Sequence, residues 1–487
     1  MQTKNADREN LPTVPMSAKE RRIVYCVAIA AFTFQFEAFL IQVALPTMAR
    51  ELYASSTEIS FVILTYLLAT TVALVPAGKL GDRFGLRSTF LAGCAVAAIA
   101  TLLLGLSTHV WMLWVCRFLQ GLGIGSMVAA AYAMIPAWVG KGNTGRGYGM
   151  LSMGASIGMV VGLPVGGILS QALSWQWIFL ITTPVFIGLF YFAWKVLPSD
   201  NSPNRTHMKI SCAGLVFLGL MLTCAVLVLS LGGELGWTST ATLSLLFLTL
   251  LFAGFLYALR NSRHALFPSE IFRISGFVPG LCVLFIFSAA VTGIRFLIPF
   301  YLQLNCGMTA LMSSILLIAY PISLAPAGVW AGKVADQTGS RALVIRACLI
   351  AAACCGVYAL FLNSLGLWFS ILFILGLGLA TGLFYPPNNR YCMSDVPDAL
   401  KAQAGSLMPV SLNMGSLIGV SLFETVFAIH APDGVMMVST LTQASEPMLH
   451  TLNHSFTDAI ELAVLLFSGS GLIAYMRYRS IARVKAR

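Results

Sequence analysis

Charge is scarce in this sequence. Of 487 residues only 10% are Asp, Glu, Lys or Arg, against about 25% in a typical soluble domain. Hydrophobic residues make up 58%, and the mean hydropathy is +0.85. A water-soluble globular chain is excluded, and an integral membrane protein remains. Acid is scarcer than base: 18 Asp and Glu face 29 Lys and Arg, for a net charge of +11. That balance would suit a nucleic-acid partner if the cations formed one basic domain, but they punctuate the apolar runs instead. Paired cysteine spacing is also missing. The eleven cysteines fall mostly inside apolar runs, Cys354-Cys355 included, and read as small packing residues. No disulfide framework or metal site is implied. There is no G-x-x-x-x-G-K-[ST] phosphate loop, and the loops are too short for a nucleotide domain. ATP hydrolysis, any other enzymatic role and a resident cofactor are therefore not expected. A cleavable signal peptide is lacking too. Residues 1–20 are polar, and the first apolar run is too long and has no cleavage site, so it serves as targeting signal and first span.

What the chain does have is a series of apolar runs of membrane-spanning length. They fall at about 22–46, 58–78, 88–106, 110–135, 147–170 and 175–197, then 210–231 and 240–259. Six more follow at about 275–301, 311–332, 342–362, 366–387, 402–429 and 456–476. The pattern predicts an all-α chain of about fourteen spans. Its segments are an N-terminal tail (1–21), a six-helix bundle (22–197) and a linker with two extra helices (198–274). A second six-helix bundle (275–476) and a basic tail (477–487) complete it. Lys and Arg concentrate in alternate loops and both tails, which puts both termini in the cytoplasm. Arg50 is the one cation assigned to an outer loop, and Arg117 and Arg295 lie within spans. The longest outer loop, 430–455, has no Lys or Arg but holds His430, Asp433, Glu446, His450 and His454. His450 and His454 could share a helix face as a metal pair, but no third ligand is in view, and a solvated acidic loop is expected. Asn453-His454-Ser455 fits a glycosylation triplet, which matters only in a eukaryote.

One polar turn recurs. Gly78-Lys79-Leu80-Gly81-Asp82-Arg83-Phe84-Gly85-Leu86-Arg87-Ser88 separates spans 2 and 3, and Gly332-Lys333-Val334-Ala335-Asp336-Gln337-Thr338-Gly339-Ser340-Arg341 separates the matching spans of the second half. A turn of Gly, Asp and Arg between two spans is a tight cytoplasmic hairpin. This order, in two copies, resembles the loop signature of the major facilitator superfamily, whose members consist of two related six-helix halves. The resemblance implies a cytoplasmic gate loop of Gly78, Asp82, Arg83, Gly85, Arg87 and Asp336, with Asp82 helping to latch that side closed.

Span 1 carries Glu37 and Gln42. A carboxylate inside a bilayer is costly unless paired, wetted or protonated, so it is a functional candidate. The stretch Glu37 to Pro46 resembles the first-span motif of the fourteen-span drug/proton antiporter (EmrB/QacA-like) family, with Glu and Gln where Asp and Asn are usual. Span 4 has Arg117, Gln120, Gly121 and Gly125, with Arg117 and the glycines at i, i+4 and i+8 on one face. This resembles the family's fourth-span motif, whose Arg is linked to proton coupling. An Arg keeps its charge and cannot carry the proton itself, but it can hold a carboxylate ionised. Comparable depth along two antiparallel spans predicts that Glu37 and Arg117 meet near mid-membrane. A cationic substrate would then compete for Glu37. Gly149, Gly158, Gly162, Gly166 and Gly167 resemble the exchanger motif of span 5, where small residues let one helix pivot closely on another. The departure is Leu163-Pro164, which displaces the usual proline by one. Ser174-Trp175-Gln176-Trp177 resembles the start of the family's span 6 and also reads as an interfacial anchor.

In the second half, Arg295 and Glu424 lie at similar depth and read as an outer-gate pair, while Asn413, Ser416 and Glu424 form one stripe of span 13. Substrate-cavity candidates are Gln42, Gln120, Arg295, Asn413 and Glu424, with spans 1, 4, 9 and 12 as the lining helices that the resemblance implies. The resemblance implies proton-coupled export of amphipathic, cationic or aromatic small molecules by a monomer in a bacterial inner membrane. Some relatives also work with a periplasmic adaptor and an outer-membrane channel. An exporter of one metabolite such as a siderophore or amino acid, an uptake symporter and a non-transporting scaffold or sensor are the alternatives. Buried charge and the glycines of span 5 speak against the last two.

Overall fold

The computed structural model describes residues 16–140, 143–199, 212–259, 269–274, 276–338, 340–361, 367–394, 396–397, 401–430 and 446–485. Helices follow from the apolar runs, because a backbone out of water must satisfy its own N–H and C=O groups. They are α1 (Ala18–Glu51), α2 (Ser56–Phe84), α3 (Leu86–Gly105), α4 (Val110–Trp138), α5 (Thr144–Ala172) and α6 (Gln176–Val196). Then come α7 (Cys212–Leu235), α8 (Thr240–Leu259), the short α9 (Ser269–Arg273) and α10 (Phe277–Phe300) with a π-helical turn, Tyr301–Asn305. The chain continues with α11 (Ala310–Leu317), α12 (Ala319–Thr338), α13 (Arg341–Phe361), α14 (Leu367–Met393), α15 (Lys401–His430) and α16 (Glu446–Lys485). Among the described residues thirteen stretches are long and apolar enough to cross a bilayer, α11 and α12 together forming one of them. Helix α7, whose apolar core Val216–Leu229 is shorter, makes the fourteenth.

Side-chain chemistry marks the helix starts. Ser17 with Glu20 and Ser55 with Glu58 form reciprocal capping boxes that satisfy otherwise orphaned N–H groups. Glu20 also accepts from the Gly140 N–H at 2.7 Å, tying the start of α1 to the end of α4. The α2–α3 hairpin is a single residue, Gly85, at φ 101° and ψ 148°. Side chains rarely adopt that conformation, so Gly85→Ala is expected to cost about 1–3 kcal/mol. A lowered melting temperature of the purified protein checks this, and an unchanged one would show that the turn relaxes freely. Arg87 donates to the Trp194 carbonyl, which fastens the hairpin to α6. The side chains of Asp82 and Asp336 lie outside the described residues. Gly78 has no such constraint, since a Cβ there would meet open space.

Packing repeats between the halves. Helix α1 packs on α5, α2 on α4, and α3 on α4 and α6; likewise α10 packs on α15, α12 on α14, and α13 on α14 and α16. We call the side bearing the start of α1 and the Gly85 turn proximal, and the side bearing the α1–α2 turn distal. One apolar core joins the distal parts of α1, α2, α4, α5 and α6 to the whole second half. A separate core, from Ile23 to Leu197, is built from α1–α6 alone and lies on the proximal side. The halves are therefore sealed distally and separate proximally. Helix α7 lies against α8, α2 and α15, and takes hydrogen bonds at its Val226 and Leu229 carbonyls from Ser421 and Thr425 of α15. The extra pair thus leans on the α2–α15 seam between the halves.

The expected outer loop is shorter than the hydropathy suggests. Helix α16 already begins at Glu446, and Asn453, inside it, accepts a hydrogen bond from Asn305 at 2.6 Å. A helical, packed Asn453 does not fit a glycosylation site. Residues 431–445, with Asp433, and the side chains of His430, Glu446 and His450 lie outside the described residues. No cluster of three metal-ligating side chains occurs among the described residues.

Candidate functional site

Glu37 and Arg117 meet in the interior of the first half. Arg117 Nη1 lies 2.6 Å from Glu37 Oε1, and both side chains are buried. The other groups around Arg117 come from α4 itself and from neighbouring helices. Its Nε donates to the Val62 carbonyl of α2, and its Nη1 also donates to Gln120 Oε1. Its guanidinium lies 4.7 Å from the Tyr66 ring centroid and 5.9 Å from that of Phe179. Gln120 in turn donates to Thr101 Oγ1 of α3 at 2.6 Å. Five helices thus fix the cation, and a planar Arg suits this because its fork serves several acceptors at once. Glu37 Oε2 is buried with no hydrogen-bond partner. The carboxylate is therefore held on one oxygen only among the described residues.

Gln120, expected as a cavity candidate, lies between Arg117 and Thr101 in the first half. It is fully buried beside Arg117, because the face of α4 that bears the charge turns into the bundle. Nor does Glu37 line the central cavity in this conformation, so competition between substrate and proton for one exposed carboxylate is not the geometry seen.

The cavity between the halves is walled by Phe39 and Gln42 of α1, Leu163 of α5, Arg295 and Ile298 of α10, and by α11, α12 and α14. The space between these residues, open solvent included, is about 270 Å³. Helices α1, α10 and α14 line it as expected; α4 does not, and α5, α11 and α12 do. Leu163, standing where the motif usually has proline, forms part of the wall. A second cavity of about 400 Å³ lies within the second half, among Tyr301, Tyr358, Phe373, Phe423 and Phe456. It is apolar and carries no charge.

Arg295 and Glu424 do not pair. Each crosses to the first half instead: Arg295 Nη2 donates to Gln42 Oε1 at 3.1 Å, and Glu424 Oε1 accepts from Thr57 Oγ1 at 2.8 Å. Gln42 also donates back to the Arg295 carbonyl, and Gln303 donates to the Val43 carbonyl at 3.0 Å. These contacts all belong to the distal seal. Equal depth along two helices says nothing about which way each side chain faces, which is why the expected pair fails. Ser416, on the same stripe, bonds Thr292 of α10 at 2.9 Å, and Asn413 is half-buried on α15.

The glycines of α5 form a ladder against α1. A Cβ on Gly158, Gly162 or Gly166 would overlap the carbonyl oxygen of Phe32, Phe36 or Leu40 respectively. Gly154, which the motif reading missed, does the same against Ala28 and extends the spacing of four by one step. Gly149 faces open space, and Gly167 faces Leu311 and Ser314 of α11 across the distal seal. The displaced Pro164 leaves the ladder intact within a continuous α5. Similar approaches recur at Gly121 and Gly125 on α2, at Gly378 and Gly382 on α12, and at Gly415 and Gly419 on α10. Trp175 is fully buried, edge-on to Phe179, so it is a core residue; Trp177 is the exposed ring of that motif.

The sequence matches the family profile described as Major Facilitator Superfamily over residues 27–420. Among curated relatives, the tetracenomycin C resistance and export protein of Streptomyces glaucescens is 30% identical over 84% of this chain and 76% of its own length. A protein of Pectobacterium carotovorum named as multidrug resistance protein MdtD is 28% identical over 83% of this chain and 87% of its own. Among solved structures, a bacterial homolog of the human lysosomal transporter Spinster, in an inward-facing and occupied conformation, superposes with a TM-score of 0.70. It is 12% identical and covers 95% of this chain and 97% of its own. A D-xylose–proton symporter gives 0.65 at 12% identity, with 92% and 97% covered. Identities that low speak to the fold alone. The repeated hairpin, the matched packing of the two halves and the family profile agree, and the chain belongs to the Major Facilitator Superfamily.

Proposed function

We propose that this chain is a proton-coupled antiporter that exports amphipathic aromatic small molecules by alternating access, working as a monomer in a bacterial inner membrane. With both termini cytoplasmic, the conformation described above is open to the cytoplasm and sealed on the outside. The observation that carries this reading is the buried Glu37–Arg117 pair on the helix that also walls the cavity. Phe39 lies about 200° and Gln42 about 140° around α1 from Glu37, so one helix presents the carboxylate to the bundle and the other two to the cavity. A shift of α1 along the α5 glycine ladder would move both sites together. When it parts the ion pair, Glu37 takes a proton; when the pair re-forms, the proton leaves and the cavity faces the other side. The names of the relatives, which refer to tetracenomycin C and to multidrug resistance, support efflux as the direction.

Reconstituted proteoliposomes under an imposed pH gradient test this reading. Uphill movement of aromatic amphiphiles that stops when a protonophore collapses the gradient is expected. Transport indifferent to the protonophore would contradict proton coupling.

A further inference from the structure

Arg295 is a cation without a carboxylate. Its guanidinium carbon lies 4.2 Å from the Phe39 ring centroid and 5.2 Å from that of Tyr320, two rings of the cavity wall in cation–π contact with it. One N–H, on Nη2, is spent on Gln42, and Nε is buried with no acceptor. No acidic side chain lies within ion-pair distance of it among the described residues. The cavity beside it is otherwise closed by Leu163, Ile298, Leu317, Ile374 and Leu377.

A guanidinium held against two rings, with a buried donor at Nε that has no acceptor, matches an anionic oxygen approaching its edge, as a carboxylate does. The apolar walls match a hydrocarbon or aromatic body behind that acid. Among the described residues the cavity wall offers no carboxylate to a cationic amine. We propose that the central cavity binds amphipathic organic anions, with the acid of an aromatic or aliphatic monocarboxylate on the Arg295 edge and its apolar body between α1, α5 and α14. This rests on the transport reading above and gives its substrate a negative charge. Exchange of one proton inward for one anion outward moves two charges in the same sense, so membrane potential drives it, whereas proton-for-monovalent-cation exchange is electroneutral.

The test uses the full-length chain and three probes of one shape: naphthalene-2-carboxylate, naphthalene-2-carboxamide and a naphthylmethyl-trimethylammonium cation. Equilibrium binding is measured in detergent, and flux in proteoliposomes with the potential clamped by valinomycin and potassium. The carboxylate is expected to bind at least tenfold tighter than the other two, and its flux to respond to the clamped potential at zero pH gradient. Arg295→Gln is expected to weaken carboxylate binding at least tenfold with little effect on the amide, and Arg295→Lys to retain part of it. Preference for the cation, no saturable carboxylate binding, or equal carboxylate binding by the wild type and by whichever of the two variants folds overturns the proposal. Gradient-driven flux of the cation but not the carboxylate sinks this inference and leaves the antiporter reading standing. Absence of gradient-driven flux for all three, with carboxylate binding intact, sinks the antiporter reading instead.

Discussion

Gly158→Val and Gly162→Val are each expected to abolish transport while leaving an assembled, membrane-inserted protein. In the structure the Cβ of either side chain would overlap a carbonyl oxygen of α1, at Phe32 or Phe36. Backbone cannot retreat the way the end of a flexible side chain can, so α1 must move off α5. Overpacking a well-packed site commonly costs about 1–3 kcal/mol, and a clash with backbone belongs at the upper end. The functional cost is larger than the energetic one. Small residues are what let two membrane helices touch along their backbones, and the touching surface here is the one on which α1 would slide. Gly149→Val is the control: a Cβ there meets open space, so transport within about twofold of wild type is expected. Normal flux in the Gly158 and Gly162 variants, measured beside that control, would mean that the ladder is filler.

The second large effect is expected at the buried ion pair. Removing one partner of such a pair costs about 3–5 kcal/mol, because the other charge is left buried and alone. Glu37→Ala would therefore confuse folding with function. Glu37→Gln is the cleaner change, since it keeps the shape and an acceptor for Arg117 while removing the ability to take a proton. It is expected to reduce pH-driven uphill transport to background, and Glu37→Asp to retain part of it.

How far these residues could be read from sequence depends on what sets their surroundings. Glu37 and Arg117 stand out because a charge in an apolar run is expensive and needs a partner at its own depth; two spans offered one candidate each. The fold was legible for a similar reason, since span lengths and the duplicated hairpin follow from the thickness of a bilayer and the geometry of a tight turn. Gly154 was equally readable, as the spacing of four from Gly158 shows, but a motif that starts at Gly149 passes over it. The pairing of Arg295 was not readable. Depth follows from counting residues along a helix, but the direction a side chain faces depends on how the halves dock, and that put Gln42 beside Arg295 and Thr57 beside Glu424. The burial of Gln120 was unreadable on the same ground. Its neighbours Arg117 and Thr101 draw it into the bundle.

The central claim is that Glu37 carries the proton that exchanges for substrate. Its most direct test is substrate-evoked proton movement, read with a pH dye trapped in proteoliposomes, for wild type and Glu37→Gln at matched protein density. The account predicts a proton flux opposite in direction to the substrate in the wild type, and none above the empty-vesicle background in Glu37→Gln, with substrate binding retained in both. A wild-type proton signal in Glu37→Gln would contradict it.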